Sequence, residues 1–214
     1  MSYYVEKQFV SHTLDKAETS VMFYTYFRDV KGKILDVGCS IGAFILLDPN
    51  RIQGIDIDKK ALEEARKKGL KVQHMDLRKK FKLKDNEFSA IFSSYTIEHI
   101  ENPLNMMKEI YRILKPKGRL VLMTTDWIKT HGRSKSNFYD DYTHVSPFTI
   151  QSLKQIAYDS GFRDYAVRYD FKAVRGFGWA VRKGLLKPSQ ILFIQKLLYK
   201  LGIKSNTIIL IARK

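Results

Sequence analysis

Short β-rich runs alternate along the chain with amphipathic helical patterns. "KILDV" (33–37), "RIQGID" (51–56), "KVQHM" (71–75), "FSAIFSS" (88–94), "RLVLMTT" (119–125), "RDYAVRYD" (163–170) and "NTIILIA" (206–212) predict strands. Between them, "DKKALEEARKKG" carries an Asp cap and a Gly stop, and "NPLNMMKEIYRILKPKG" and "PFTIQSLKQIAYDSG" read as further helices. Strand and helix at this spacing predict an α/β protein with a mostly parallel sheet and helices on both faces. Ligands of such sheets sit beyond the carboxyl ends of the strands, near the switch point.

The alternation fails twice. Residues 1–32 read as an N-terminal helical arm ("DKAETSVMFYTYF"), and residues 171–205 separate the last two strands by more than a tight turn needs. No internal repeat, low-complexity tract or Pro/Gly/Ser linker interrupts the chain. The expectation is one domain over 1–214: an arm at 1–32, a ligand-binding core at 33–170, a basic helical insertion or lid at 171–205, and a final strand at 206–214.

The 214 residues suffice for one good core, and 44% hydrophobic with 13% aromatic residues is an ordinary globular composition. A single cysteine, Cys39, excludes an intramolecular disulfide and any multi-cysteine zinc site. The segment "MSYYVEKQFVSH" lacks the apolar core of a signal peptide, and no apolar run reaches membrane-spanning length. A cytoplasmic protein is expected. Net charge changes the picture, because +16 is high and unevenly spread. Residues 171–214 contain no Asp or Glu but carry Lys172, Arg175, Arg182, Lys183, Lys187, Lys196, Lys200, Lys204, Arg213 and Lys214. A field of that sign attracts anionic lipid, nucleic acid or phosphorylated substrate.

The first strand runs into "GCSIGA", a small-residue turn of the kind that cradles nucleotides. A dinucleotide loop wants G-x-G-x-x-G/A, and here Gly38, Ser40 and Ala43 leave the middle glycine absent. Asp36, inside the strand end, would sit badly beside a diphosphate. A cofactor with a cationic amino group and no phosphates fits better, with Gly38 and Gly42 allowing close backbone approach. Asp56 follows Asp36 by twenty residues and is placed to accept both ribose hydroxyls of an adenosine, unless it caps the next helix. Asp76, ending the third strand in "HMDL", is placed to accept the adenine amine with Leu77 covering the ring, unless it caps its own turn. Acidic residues at three successive strand ends, with no phosphate-binding lysine, describe S-adenosylmethionine (SAM).

At these residues the sequence resembles the class I SAM-dependent methyltransferases, the UbiE-like group among them. "LDVGCSIGAF", "GIDIDKKALEEAR", "HMDL", "FSAIFSSYTIEHIENP", "EIYRILKPKGRLVLMTT" and "HVSPFTIQSLKQIAYDSGF" look like successive motifs of that family, over roughly residues 30–170 plus the final strand. Ser40 departs from the glycine most often found at its position. The resemblance implies a Rossmann-like seven-stranded sheet with its last strand antiparallel, SAM as methyl donor and S-adenosylhomocysteine as product. It implies cofactor contacts at Asp36, Gly38, Cys39, Ser40, Gly42, Asp56, Ile57, Asp76, Leu77, Ser93, Ser94 and Tyr95, the last three along the methionine part. Glu98 and His99 follow in "TIEHIENP", His99 being either a structural hydrogen-bond partner or part of the pocket wall.

Methyl transfer from a sulfonium is an in-line displacement, and an oxygen acceptor of high pKa also needs a base. Candidates lie in the long loop "TTDWIKTHGRSKSNFYDDYTHVSPFT" (124–149), which holds Asp126, His131, Asp140, Asp141 and His144. His144 is the expected base, oriented by Asp140 or Asp141, with Asp126 as a further catalytic candidate. The alternative is a helix entry capped by Ser146 or Thr149. No metal is expected. "YDDYTHVSPFT" also resembles methyltransferases of polysaccharide and glycolipid assembly, which implies a glycan, glycolipid or other small-molecule hydroxyl as acceptor. In "KPSQILFIQKLLYKLGIK" (187–204), Ile191, Ile194, Leu198 and Leu201 fall on one helical face opposite Lys196 and Lys200. With Phe177 and Trp179, this region reads as peripheral contact with an anionic membrane, or as a lid over the pocket. An RNA methyltransferase using the basic region and a SAM-binding scaffold without catalysis are the competing readings.

Overall fold

Seven strands hydrogen-bond into one sheet in the order β3-β2-β1-β4-β5-β7-β6. In chain order they are β1 (Ile34–Val37), β2 (Ile52–Asp56), β3 (Val72–His74), β4 (Phe88–Ser94), β5 (Leu114–Thr125), β6 (Asp164–Phe171) and β7 (Lys204–Arg213). β1 through β5 are mutually parallel, and β7 runs antiparallel to both β5 and β6. This is the expected Rossmann-like sheet, final strand included. The computed structural model describes residues 16–130, 137–171, 185–202 and 204–214. His131, Phe177, Trp179 and the first fifteen residues of the arm lie outside them.

Among the described residues five helices of nine or more residues flank the sheet: α1 (Lys16–Tyr26), α2 (Lys59–Lys67), α3 (Pro103–Ile113), α4 (Ile150–Asp159) and α5 (Pro188–Lys200). Local chemistry sets their ends. Asp58, not Asp56, caps α2 by accepting the Lys60 and Ala61 amides, and Gly69 leaves it at φ +73°. Asn102 caps α3 with Pro103 in the first turn, and Thr149 caps α4 in a reciprocal box with Ser152. The helical pattern of "NPLNMMKEIYRILKPKG" stops short of its predicted end, because β5 begins at Leu114. Pro116 bars Lys115 from helical backbone, and Lys117 follows at φ +64°.

Period-two alternation divides the core in two. Leu35 and Val37 face a layer built with Met106, Ile110, Ile113, Leu153 and Ala157 of α3 and α4. Ile34, Ile52, Phe92 and Val121 face the other side with Phe27, Phe44, Leu62 and Ala65. Phe27 just past α1, Phe44 and Phe92 of β4 pack on one another, Phe27 edge-on to both other rings, with centroids 5.2 Å apart for Phe27–Phe44 and 4.3 Å for Phe44–Phe92. That aromatic cluster and the Asp29–Arg119 ion pair hold the arm to the sheet.

α5 lies between β6 and β7 in sequence and packs beside α1 and β6. It buries Ile191 and Gln195, half-buries Ile194 and Leu198, and exposes Phe193, Leu197 and Leu201. The face drawn from sequence therefore needs one correction. Leu201 leaves the inner stripe and joins an outer row, because 193, 197 and 201 follow one another at i, i+4 spacing.

Phe27 is fully buried and touches both other rings, so Phe27→Ala should cost about 3–5 kcal/mol of folding stability. A urea titration should show a lower midpoint at unchanged slope.

Candidate active site

The strand order reverses between β1 and β4, and their carboxyl ends frame the crevice. Beyond β1 the chain turns through Gly38 at φ +79°, Ser40 at +46° and Gly42 at +80°. The Gly38 and Cys39 amides donate to the Ile55 carbonyl of β2 at 2.9 and 3.1 Å. A Cβ on Gly38 would stand 2.1 Å from Thr96 Oγ1, so the loop after β4 closes directly on this turn. Ser93 Oγ and Thr96 Oγ1 both donate to the Val37 carbonyl across the switch point.

Two carboxylates lie under this turn. Asp36 is buried, and burial together with the nearby Asp56 pushes its carboxyl up to about 8. Asp56 ends β2 with Oδ2 accepting the Ser40 amide at 2.7 Å and Oδ1 accepting the Asp58 amide at 2.9 Å. Burial raises its pKa as well, against the pull of those amides. Cys39 packs beneath Gly54, where a Cβ would meet its Sγ at 2.5 Å, and burial pushes its thiol up. It is a packing group there rather than a thiolate.

Asp76 has a local partner. Arg78 donates to it through the backbone amide, Nε and Nη2, and holds its carboxyl down at about 2. Leu77 is buried in the core, whereas Ile57 is half exposed. Past β4, Ser93 is buried and Ser94 half-buried. Tyr95 adopts φ +50°, a strained conformation for an aromatic residue, and its hydroxyl meets Thr207 Oγ1 of β7 at 2.7 Å.

The segment 137–149 crosses the ends of β4 and β5. The Val145 and Ser146 amides donate to the Glu98 carbonyl at 2.9 and 3.0 Å, and Ser146 Oγ donates to the Ile100 carbonyl. Trp127 N donates to the Phe148 carbonyl, beside the bridge between Asp126 and Phe148. His144 Nδ1 lies 2.6 Å from the Phe138 carbonyl, which only accepts, so Nδ1 carries the proton and Nε2 is the basic nitrogen. His99 packs against it with ring centroids 4.7 Å apart. Thr143 Oγ1 donates to Asp141 Oδ1 at 2.7 Å and takes the Nδ1 proton of His99 at 2.9 Å. Burial, then the neighbouring His144, lowers the pKa of His99.

The carboxylates of this loop thus differ from the expected orienting scheme. Asp141 stands 4.0 Å from His144 Nε2 and bonds Thr143 instead, and Asp140 is taken up by the Asn137 amide. Asp126 is buried, accepts the Ile128 amide and bonds Tyr169, whose phenol burial and Asp126 push up to about 12. Three residues at this edge escaped the sequence reading. Thr143 links Asp141 to His99, and the D-x-T spacing of a side chain turned back on its own backbone was the available signal. Thr207 meets Tyr95 from the distant β7, for which no local signal exists. Thr124, buried at the end of β5, lies beside Glu98. Glu98 itself is fully buried, neither of its oxygens has a hydrogen-bond partner among the described residues, and burial pushes it up to about 7. Among the described residues no group of three or more His, Cys, Asp or Glu is arranged to hold a metal ion.

This edge suits SAM. The desolvated pair Asp36 and Asp56 favours a cation over a polyphosphate. Residues 35–122 match the family described as "Methyltransferase domain". Over those residues the chain is similar to methyltransferase domains, and its sheet is the one found in structures of SAM-dependent methyltransferases. It is 30% identical to the biotin biosynthesis bifunctional protein BioHC of Teredinibacter turnerae over 63% of this chain and 27% of that protein. It is also 30% identical to the ubiquinone/menaquinone biosynthesis C-methyltransferase UbiE of Desulfotalea psychrophila, over 44% of this chain and 42% of that one. A SAM-dependent methyltransferase structure from Archaeoglobus fulgidus superposes with a TM-score of 0.70 at 22% identity, covering 100% of both chains. The chain spans between about a quarter and two thirds of the length of the curated relatives it matches.

Glu98 gives a pH signature. Its folded pKa of about 7 exceeds the ordinary 4.5, so the folded protein keeps a proton that the unfolded chain releases. The stability this contributes is complete below about pH 4.5 and is lost as pH rises through 7. Glu98→Gln should flatten that fall and gain on the order of 3 kcal/mol over the parent at pH 8, read by urea titrations at pH 5 and 8. Parallel slopes for the two proteins would reject the assignment.

Proposed function

We propose that this chain transfers a methyl group from SAM to a hydroxyl of a glycan, a glycolipid or another small molecule. Bound SAM supplies an electrophilic methyl group on a sulfonium. Asp36 and Asp56, with the turn at Gly38, Cys39, Ser40 and Gly42, hold its amino-acid and ribose portions, and Ile57 and Leu77 border the adenine. Ser93, Ser94 and Tyr95 line the methionine side. Asp76 joins the adenine contacts only by sharing its carboxylate with Arg78.

The tautomer of His144 carries the catalytic part of this reading. With Nδ1 committed to the Phe138 carbonyl, Nε2 has the lone pair that removes the acceptor's proton. As the new O–CH3 bond forms and the S–CH3 bond breaks, that proton passes to Nε2 and the former sulfonium leaves as a neutral thioether. The imidazolium so formed lies 4.0 Å from Asp141, which offsets its charge. Asp141 and Asp126 act through position: the first through Thr143 and His99, the second by fixing the start of the loop. The loop excludes water because its backbone is bonded to both neighbouring strand ends. The relatives' names span biotin biosynthesis and quinone methylation, so the acceptor hydroxyl rests on the resemblance of "YDDYTHVSPFT" and on the presence of a positioned base.

Two measurements test this. Asp56→Ala should weaken SAM binding by about 1–3 kcal/mol in calorimetry, through loss of charged hydrogen bonds and of the tie to Ser40. His144→Ala should lower transfer of labelled methyl into extract glycans or small molecules by about 10²–10⁴-fold with SAM affinity unchanged. Label appearing in RNA alone, or full activity in the His144 variant, would overturn the proposal.

A further inference from the structure

We propose that the outer face of α5 docks on an anionic phospholipid surface, with Phe193, Leu197 and Leu201 entering the headgroup boundary and Lys196 and Lys200 meeting the phosphates. The proposal rests on this surface alone and stands whichever acceptor is methylated.

The orientation of α5 is what makes the face available. Ile191 and Gln195, one turn apart, are buried on the inner side, where the helix packs beside α1 and β6. The outer row is therefore not a core stripe awaiting burial. Phe193 is 69% exposed, Leu197 49% and Leu201 69%. At about 1.5 Å per residue the row runs about 12 Å along one side of the helix. Scattered exposed apolar residues are ordinary, but three in one row are not. Leu185, 62% exposed, adds apolar surface just before the helix.

The charges choose the occupant. Lys196 and Lys200 form a neighbouring row along one side of the apolar side chains, both exposed. No acidic residue occurs from 171 to 214, so the helix and the segments flanking it supply no carboxylate of their own to these lysines. Lysine stems lie along apolar surface while their heads reach outward, which matches the depth profile of a bilayer interface. A helix lying in the interface buries its apolar row by about 5–10 Å, within reach of such side chains. A row of exposed apolar side chains beside a row of cations suits a fluid anionic sheet. None of the described helices is long and apolar enough to cross a membrane, so the contact is peripheral.

Flotation of the full chain tests the idea. Binding is expected to vesicles of equal parts phosphatidylcholine and phosphatidylglycerol and not to pure phosphatidylcholine. The triple variant F193S/L197S/L201S should lose at least about tenfold in partitioning, and K196Q/K200Q about fivefold or more. All five side chains are exposed, so unchanged thermal midpoints are expected and verify folding. Should the triple variant fail to fold, Leu197→Cys carrying an environment-sensitive dye serves instead, since the native Cys39 is buried and unreactive. Its emission should shift to the blue with the anionic vesicles alone. Equal binding to neutral vesicles, an unshifted dye, or triple-variant partitioning equal to the parent's would overturn the proposal. So would tight RNA binding that K196Q/K200Q abolishes while vesicle binding is absent.

Discussion

The closeness of Gly38 to Thr96 governs the carboxyl edge of the sheet. Residue 38 has no room for a side chain, because a Cβ there would lie inside the Thr96 hydroxyl. That contact brings the turn after β1 and the segment after β4 together at the switch point. From there the placement of the other groups follows. The turn can hand its Ser40 amide to Asp56, and the β4 segment can present Glu98 and His99 to the loop above. Backbone at φ near +80° is the means, and only glycine adopts it without strain. Ser40 and Tyr95 pay no such indifference. Both hold left-handed conformations where a side chain is disfavoured, and both sit beside the crevice, as strained residues at functional sites do.

Charge is segregated in the molecule in a way its total conceals. The chain carries a large positive surplus, yet the buried groups at the sheet edge are acidic. Asp36, Asp56 and Glu98 are all raised chiefly by burial, with Asp36 also raised by its acidic neighbour. Among the described residues no Lys or Arg is buried, and the cations lie where water screens them. A cationic cofactor entering this protein leaves a positive exterior for a carboxylate-lined interior. The basic exterior therefore bears on partners at the surface, and the acidic edge on the ligand of the crevice.

The strands and most helix boundaries were legible because hydrophobic period and capping residues agree locally. Thr149 heads α4 and Gly69 closes α2 as such residues do elsewhere. The helix before β5 was read too long because the apolar period continues through Leu114 and the Lys-Pro-Lys-Gly run looks like its frayed end. Backbone restriction at Lys115 outweighs that pattern. At the site, glycines and strand-end aspartates could be picked out because the chemistry demands them at set places. Partners could not. Asp76 bonding Arg78, Asp141 bonding Thr143, and the Phe138 carbonyl orienting His144 are choices made by loop conformation. Sequence names the candidates but not which of several nearby donors each will take. The outer row of α5 failed for a related reason, since both faces of that helix carry apolar residues and only packing tells inner from outer.

The position of β7 has a consequence for how the chain assembles. Among the described residues β6 pairs with β7 alone, and β7 follows it in chain order. During synthesis β6 thus emerges with no sheet neighbour, and β5 leaves the ribosome with one long edge open. The gap between them closes only when a segment more than thirty residues downstream of β6 slides in, which makes completion of the sheet a late and non-local event. Until then the protein presents a cleft flanked by unpaired backbone, a natural target for chaperones and a point of vulnerability to aggregation.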